Sequence, residues 1–296
     1  MFRGLYPPIP TPFDNDEFSP AHLAENIGRW NEQPIAGYVV LGSNGEAPLL
    51  DDAEKTAVIR SARAATPASR AMIVGTGRQS TRAAIRAVSE AFDLGATAAL
   101  LGVPDYYRPA MTDAVLREHF LRVADASPGP IILYSVPFFT DIPIGASLFA
   151  DLLRHDRIAG IKDSSGDLES LSGMIDAARG AGRDVSVLIG NAGALGAGLA
   201  LGAAGAVIAV GNVAPHHCSE IARLAAQGKQ DQAREKNRLL DPLTDAVTRR
   251  HGIGGLKAAL DLIGFHGGAP RPPLRPVGKT EREEIAGLLA GLGLAA

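Results

Sequence analysis

"IAGIKDSSGD", residues 158–167, begins as a short apolar run, reaches a lysine and turns polar at once. Apolar runs of four to six residues bounded by turn signals read as strands buried on both faces, the pattern of a parallel sheet covered by helices. The same form recurs in "AGYVVLG" (36–42), "AMIVGTG" (71–77), "TAALLGV" (97–103), "PIILYSV" (130–136), "VSVLIGN" (185–191) and "GAVIAVG" (205–211). Between them lie segments of helical spacing, among them 51–65, 80–95 and 112–126, the last two opening on Ser or Thr caps. With "GLYPPIPTPF" (4–13) as an irregular first strand, the strands number eight. The expected fold class is therefore α/β: a (β/α)8 TIM barrel over residues 1–214, carrying a C-terminal helical extension over 215–296 as part of one structural unit. An open doubly wound sheet is the alternative, but "GTGRQS" lacks the full spacing of its phosphate loop.

Composition narrows the function classes. The chain of 296 residues is 46% hydrophobic and 21% charged, ordinary for a globular protein, and its formal net charge of −3 with scattered arginines argues against a nucleic-acid partner. The single cysteine, Cys218, allows no intrachain disulfide. The N-terminus lacks the charged leader and apolar core of a signal peptide, so a cytoplasmic location is expected. The uncharged stretch 185–219 is long enough to suggest a membrane span, but it is rich in Gly and Ala and broken at "LGAAGA", so no membrane partner is expected. "PHHCSE" (215–220) places two histidines beside Cys218 without a second cluster to complete a ligand set, and no metal is expected.

In a barrel of this kind the functional groups gather at the carboxyl ends of the strands. Those ends carry Thr11, Ser43-Asn44-Gly45-Glu46, Thr76, Tyr106-Tyr107, Tyr134, Lys162-Asp163-Ser164-Ser165, Asn191 and Asn212. Turn chemistry accounts for many of these. Of the six lysines, only Lys162 ends a strand core, and two readings of it stay open: a rim lysine paired with Asp163, or an amine that forms a Schiff base with a ketone. Tyr134, at the end of the preceding strand, is either an aromatic rim packer or a proton shuttle facing the same mouth. The loop "GSNGEAPLLDDAEK" (42–55) reads equally as an ordinary turn or as a backbone cradle for a carboxylate.

The set "GSNGE", "PDYYRP", "LYSVP" and "GIKDSSGD", in that order and spacing, resembles the dihydrodipicolinate synthase / N-acetylneuraminate lyase family of class I aldolases over essentially the whole chain. The resemblance implies a pyruvate Schiff base on Lys162 with no other cofactor, a proton relay through Tyr134 and Ser43, and Tyr106 reaching in from a neighbouring subunit. It also implies a pyruvate carboxylate held by the Ser43 and Asn44 amides, the Val207 carbonyl and Asn191 near the substrate, and a homo-oligomer, commonly a tetramer built as a dimer of dimers. One departure bears on the second substrate: the synthases place a carboxylate-clamping arginine five residues after the tyrosine, and here that position is Phe139, followed by Thr140-Asp141 in place of Thr-Gly. Within the family the chain is most similar to 4-hydroxy-2-oxoglutarate aldolases, through "AVTRRHGIGGLK" and "GFHGG" as well as the four motifs. Cleavage of 4-hydroxy-2-oxoglutarate to pyruvate and glyoxylate is thus the leading expectation. The synthase reaction and a sugar-acid dehydratase or lyase are the alternatives, and a barrel that binds an oxo acid without turnover is the reading from another class.

Overall fold

A computed structural model describes residues 2–294. In chain order its strands are β1 (Gly4–Leu5), β2 (Phe13–Asp14), β3 (Glu17–Phe18), β4 (Gly37–Val40), β5 (Ala71–Gly75), β6 (Ala98–Gly102), β7 (Ile131–Ser135), β8 (Ile158–Asp163), β9 (Ser186–Ile189) and β10 (Gly205–Ala206). Strands β2 and β3 form a small antiparallel hairpin, while the other eight make one parallel sheet in the order β1-β10-β9-β8-β7-β6-β5-β4. The sheet closes where Pro8 bridges Val39 in parallel and the Ala36, Val39 and Ile9 amides bond the Leu5, Pro7 and Val39 carbonyls. Prolines 7, 8, 10 and 12 remove ladder donors from the first strand, which is why regular pairing stops after Leu5. The result is the expected (β/α)8 barrel with one irregular seam.

The outer helices are α1 (Pro20–Trp30), α2 (Asp52–Ala65), α3 (Thr81–Asp93), α4 (Asp113–Ala126), the short α5 (Pro137–Thr140), α6 (Ala146–Leu152), α7 (Leu168–Gly180), α8 (Leu195–Leu201) and α9 (Pro215–Ala226). Their starts are chemically specified. Asp51 and Glu54 form a reciprocal capping box on α2, and Ser80 and Thr112 accept from the Ala83 and Val115 amides to cap α3 and α4. Helix α9 lies directly beyond the expected boundary at 214/215 and packs against α8 and β1, as the outer helix of the last strand. Beyond it come α10 (Gln230–Asp245), a π-helical turn (Ala246–Arg250), α11 (Gly252–Leu262) and α12 (Lys279–Gly291).

Strand alternation sorts the core into two layers. Tyr6, Val39, Leu100, Ile132, Tyr134, Leu188 and Val207 fill the barrel interior, and a larger cluster including Trp30, Phe120, Phe149, Met174 and Ile221 packs between strands and helices. No helix among the described residues is long and apolar enough to cross a membrane.

Candidate active site

The two residues singled out at the strand ends are neighbours in space. In the parallel pairing of β7 with β8, Tyr134 stands in register with Lys162, both on the interior side. Lys162 is 4% exposed and Tyr134 9%, and the Lys162 Nζ lies 4.0 Å from the centroid of the Tyr134 ring. The Tyr134 hydroxyl is 3.3 Å from Ser43 Oγ, at the carboxyl end of β4 across the barrel mouth. Burial by itself would raise the phenol's pKa. The positive charge of Lys162, helped by hydrogen bonds from Ser43, Lys162 and Ser164, outweighs it and holds the hydroxyl below the ordinary tyrosine value. A phenol tuned in this direction ionises more readily, and its phenolate can then accept a proton.

Asp163 belongs to a different environment. One residue along the strand, it points to the outer side, where Ser165 Oγ donates to its Oδ2 at 2.5 Å. Burial pushes this carboxyl up, against the lowering hydrogen bonds of Ser165 and Ser135. The reading of Lys162 as a rim partner of Asp163 is thus opposed by the strand's own alternation.

The loop after β4 turns sharply. Leu41 and Glu46 both have φ of +56°, flanking a 3-10 turn over Ser43–Gly45. Ser43 and Asn44 open that turn, so their amides precede its internal hydrogen bonds. The Gly45 carbonyl accepts from Thr11 Oγ1 at 2.7 Å, which fixes the turn to the segment after β1. Val207 follows β10 with its side chain in the barrel interior and its amide bonded to the Ile189 carbonyl at 2.7 Å. Asn191 lies just past β9, where its Oδ1 accepts from the Gly193 amide at 3.0 Å and caps the next turn.

The remaining candidates sit on the open side. Tyr106 is 78% exposed and Phe139 61%, in edge-on contact with Tyr107 and Phe138 respectively. Gln79 Oε1 accepts from the Asp105 and Tyr106 amides and holds the first of these loops. Two groups make contacts to which no role was assigned from sequence. Ser164, which reaches the Tyr134 phenol, fits where it does because position 190 is glycine: a Cβ there would lie 2.0 Å from Ser164 Oγ. Lys257 is as deeply buried as any lysine can be, and the apolar stretch "GGLKAAL" around it was the available signal. Among the described residues no group of three or more His, Cys, Asp or Glu side chains is placed to hold a metal ion. An apolar cavity of about 470 Å³, lined by Leu5, Leu195, Leu199 and Cys218, lies by the amino ends of β1 and β10, away from Lys162.

Comparison with known proteins gives the family. The model of the dihydrodipicolinate synthetase family matches residues 1–291. The chain belongs to that family. It is 34% identical over 293 residues to a DapA-like lyase of Halobacterium salinarum, covering 99% of this chain and 94% of the relative. With the 4-hydroxy-tetrahydrodipicolinate synthase of Methanocaldococcus jannaschii it shares 33% over 297 residues, 99% of this chain and all of the other. Among solved structures, the dihydrodipicolinate synthase of Acinetobacter baumannii in complex with pyruvate superposes with a TM-score of 0.93 at 30% identity, covering 99% and 100% of the two chains. The protein is accordingly an enzyme of the class I aldolase and lyase type that this family comprises.

Proposed function

We propose that the protein is a pyruvate-dependent Schiff-base aldolase whose reaction is cleavage of 4-hydroxy-2-oxoglutarate to pyruvate and glyoxylate. The observation that carries this reading is the buried Lys162 amine in register with Tyr134, whose hydroxyl meets Ser43. The amine attacks the C2 ketone and loses water to give an iminium. Tyr134 then accepts the C4 hydroxyl proton, the C3–C4 bond breaks, glyoxylate leaves and the bond's electrons pass into the iminium to form an enamine. Protonation at C3 and addition of water release pyruvate and restore the amine. The Ser43 and Asn44 amides would hold the carboxylate next to the ketone, with the Val207 carbonyl and Asn191 beside it. Because the iminium is the electron sink, the chemistry calls for neither a metal nor an organic cofactor.

Tyr106, exposed on a single chain, supports a homo-oligomer, a tetramer by the family's habit, in which it completes a neighbour's mouth. Cys218, buried and with its thiol pushed up to about 12 by burial, suits a reducing cytoplasm as an inert packed residue. The synthases among the relatives favour a second reading, condensation of pyruvate with aspartate semialdehyde. Phe139 weighs against it, since a benzyl group offers a carboxylate no donor. Side-by-side assays of pyruvate release from 4-hydroxy-2-oxoglutarate and of pyruvate consumption with aspartate semialdehyde decide the matter. Efficient cleavage supports the first reading, and turnover confined to the condensation overturns it.

A further inference from the structure

A second buried charge pair stands behind the turn that presents Ser43 and Asn44. Lys257 Nζ on α11 and Glu46 Oε1 approach to 2.6 Å, and both side chains are wholly buried. The ammonium also donates to the Ala269 carbonyl at 3.0 Å and lies over the Phe13 ring at 4.4 Å. The other Glu46 oxygen accepts the Arg271 amide at 2.7 Å. The Arg271 guanidinium bonds Glu54 at 2.8 Å and the Leu49 carbonyl at 3.3 Å, so the chain from Glu46 to Glu54 is tied to the C-terminal extension at several points.

Such a pair is a poor choice for stability alone, because desolvating both charges offsets most of their attraction and apolar residues of like volume serve as well. Its value is in specifying one geometry. Glu46 holds φ of +56°, a backbone region that a non-glycine residue keeps only when its surroundings over-determine it. That residue closes the 3-10 turn whose first two residues are Ser43 and Asn44.

We propose that Glu46, Lys257 and Arg271 are positioning residues: the buried pair and its clamp set the Ser43–Asn44 turn against Lys162, so that the C-terminal extension determines how well the site takes a 2-oxo acid carboxylate. The inference rests on the reading of that turn as the carboxylate cradle. The test is inactivation of the intact enzyme by borohydride at increasing pyruvate, which yields a half-saturating concentration and a limiting rate. For Glu46→Gln the half-saturating pyruvate is expected to rise about tenfold with the limiting rate within about twofold, a split that displacement of a binding group produces and a purely structural role does not. Arg271→Ala leaves no lone buried charge. It is expected to raise the same concentration about threefold, and carries the test if Glu46→Gln does not fold. An unchanged half-saturating concentration in a folded variant, or a loss confined to the limiting rate, overturns the inference. Wild-type enzyme that pyruvate and borohydride leave unmodified overturns the underlying reading as well.

Discussion

The two sides of the barrel mouth are built differently. On one side the Ser43–Glu46 turn is backed by Thr11, Lys257 and Arg271 and presses against the Tyr134 hydroxyl. On the other, Tyr106 and Tyr107 on the loop after β6 and Phe138 and Phe139 on the short α5 stand in solvent, the two segments joined by an Arg108–Asp141 ion pair of 3.0 Å between exposed side chains. A buried charge network enforces one geometry, while a solvated pair holds little. On the proposed mechanism the rigid side would serve the part of the reaction that does not vary, capture of a 2-oxo acid on Lys162. The open side would then discriminate the second reactant.

The comparison breaks most visibly at the shared chemical group. Tyr134→Phe is expected to lower kcat/KM by about 10²- to 10⁴-fold, the range of a positioned acid or base. In steady-state profiles of kcat/KM, which report the free enzyme, cleavage is expected to rise with pH through a value below the ordinary tyrosine 10.0, since Tyr134 must be ionised to accept a proton. Ser43→Ala removes one of the hydrogen bonds that lower this group, so the rise should move to higher pH; a shift downward contradicts the assignment. On the open side, Phe139→Arg is expected to improve condensation with aspartate semialdehyde about tenfold, the worth of one charge-assisted hydrogen bond, leaving half-saturation by pyruvate within about twofold. A large change in pyruvate binding there erases the distinction between the two sides. The smallest effect belongs to Arg108→Ala, whose loss of an exposed ion pair should change unfolding stability by less than about 1 kcal/mol in a denaturant titration.

Much of this was legible from local pattern. Apolar runs bounded by turn residues marked seven strands, because burial on both faces leaves a continuous apolar signature. The eighth was recognisable only by position, its ladder being interrupted by prolines. Lys162 and Tyr134 stood out because each ends such a run, and parallel pairing in register is what brings them together. "GAVIAVG" overstated the last strand, which pairs only at Gly205–Ala206 before a 3-10 turn begins at Ala209. The Glu46–Lys257 pair left no mark of that kind. Its members are far apart in the chain, and nothing local distinguishes a glutamate or a helical lysine that will be buried against its counter-charge from one that will be solvated. The reach of Ser164 to the phenol had no local mark for a related reason, since it depends on a glycine from the neighbouring strand's loop.

The proposed mechanism has the rigid side capture pyruvate on one particular amine. Incubation with pyruvate and borohydride, followed by proteolysis and mass spectrometry, tests it directly. A single reduced pyruvate adduct is expected on Lys162, absent from Lys162→Ala, with Lys257 unmodified in its buried pair. An unmodified Lys162, or an adduct on another lysine, would contradict it.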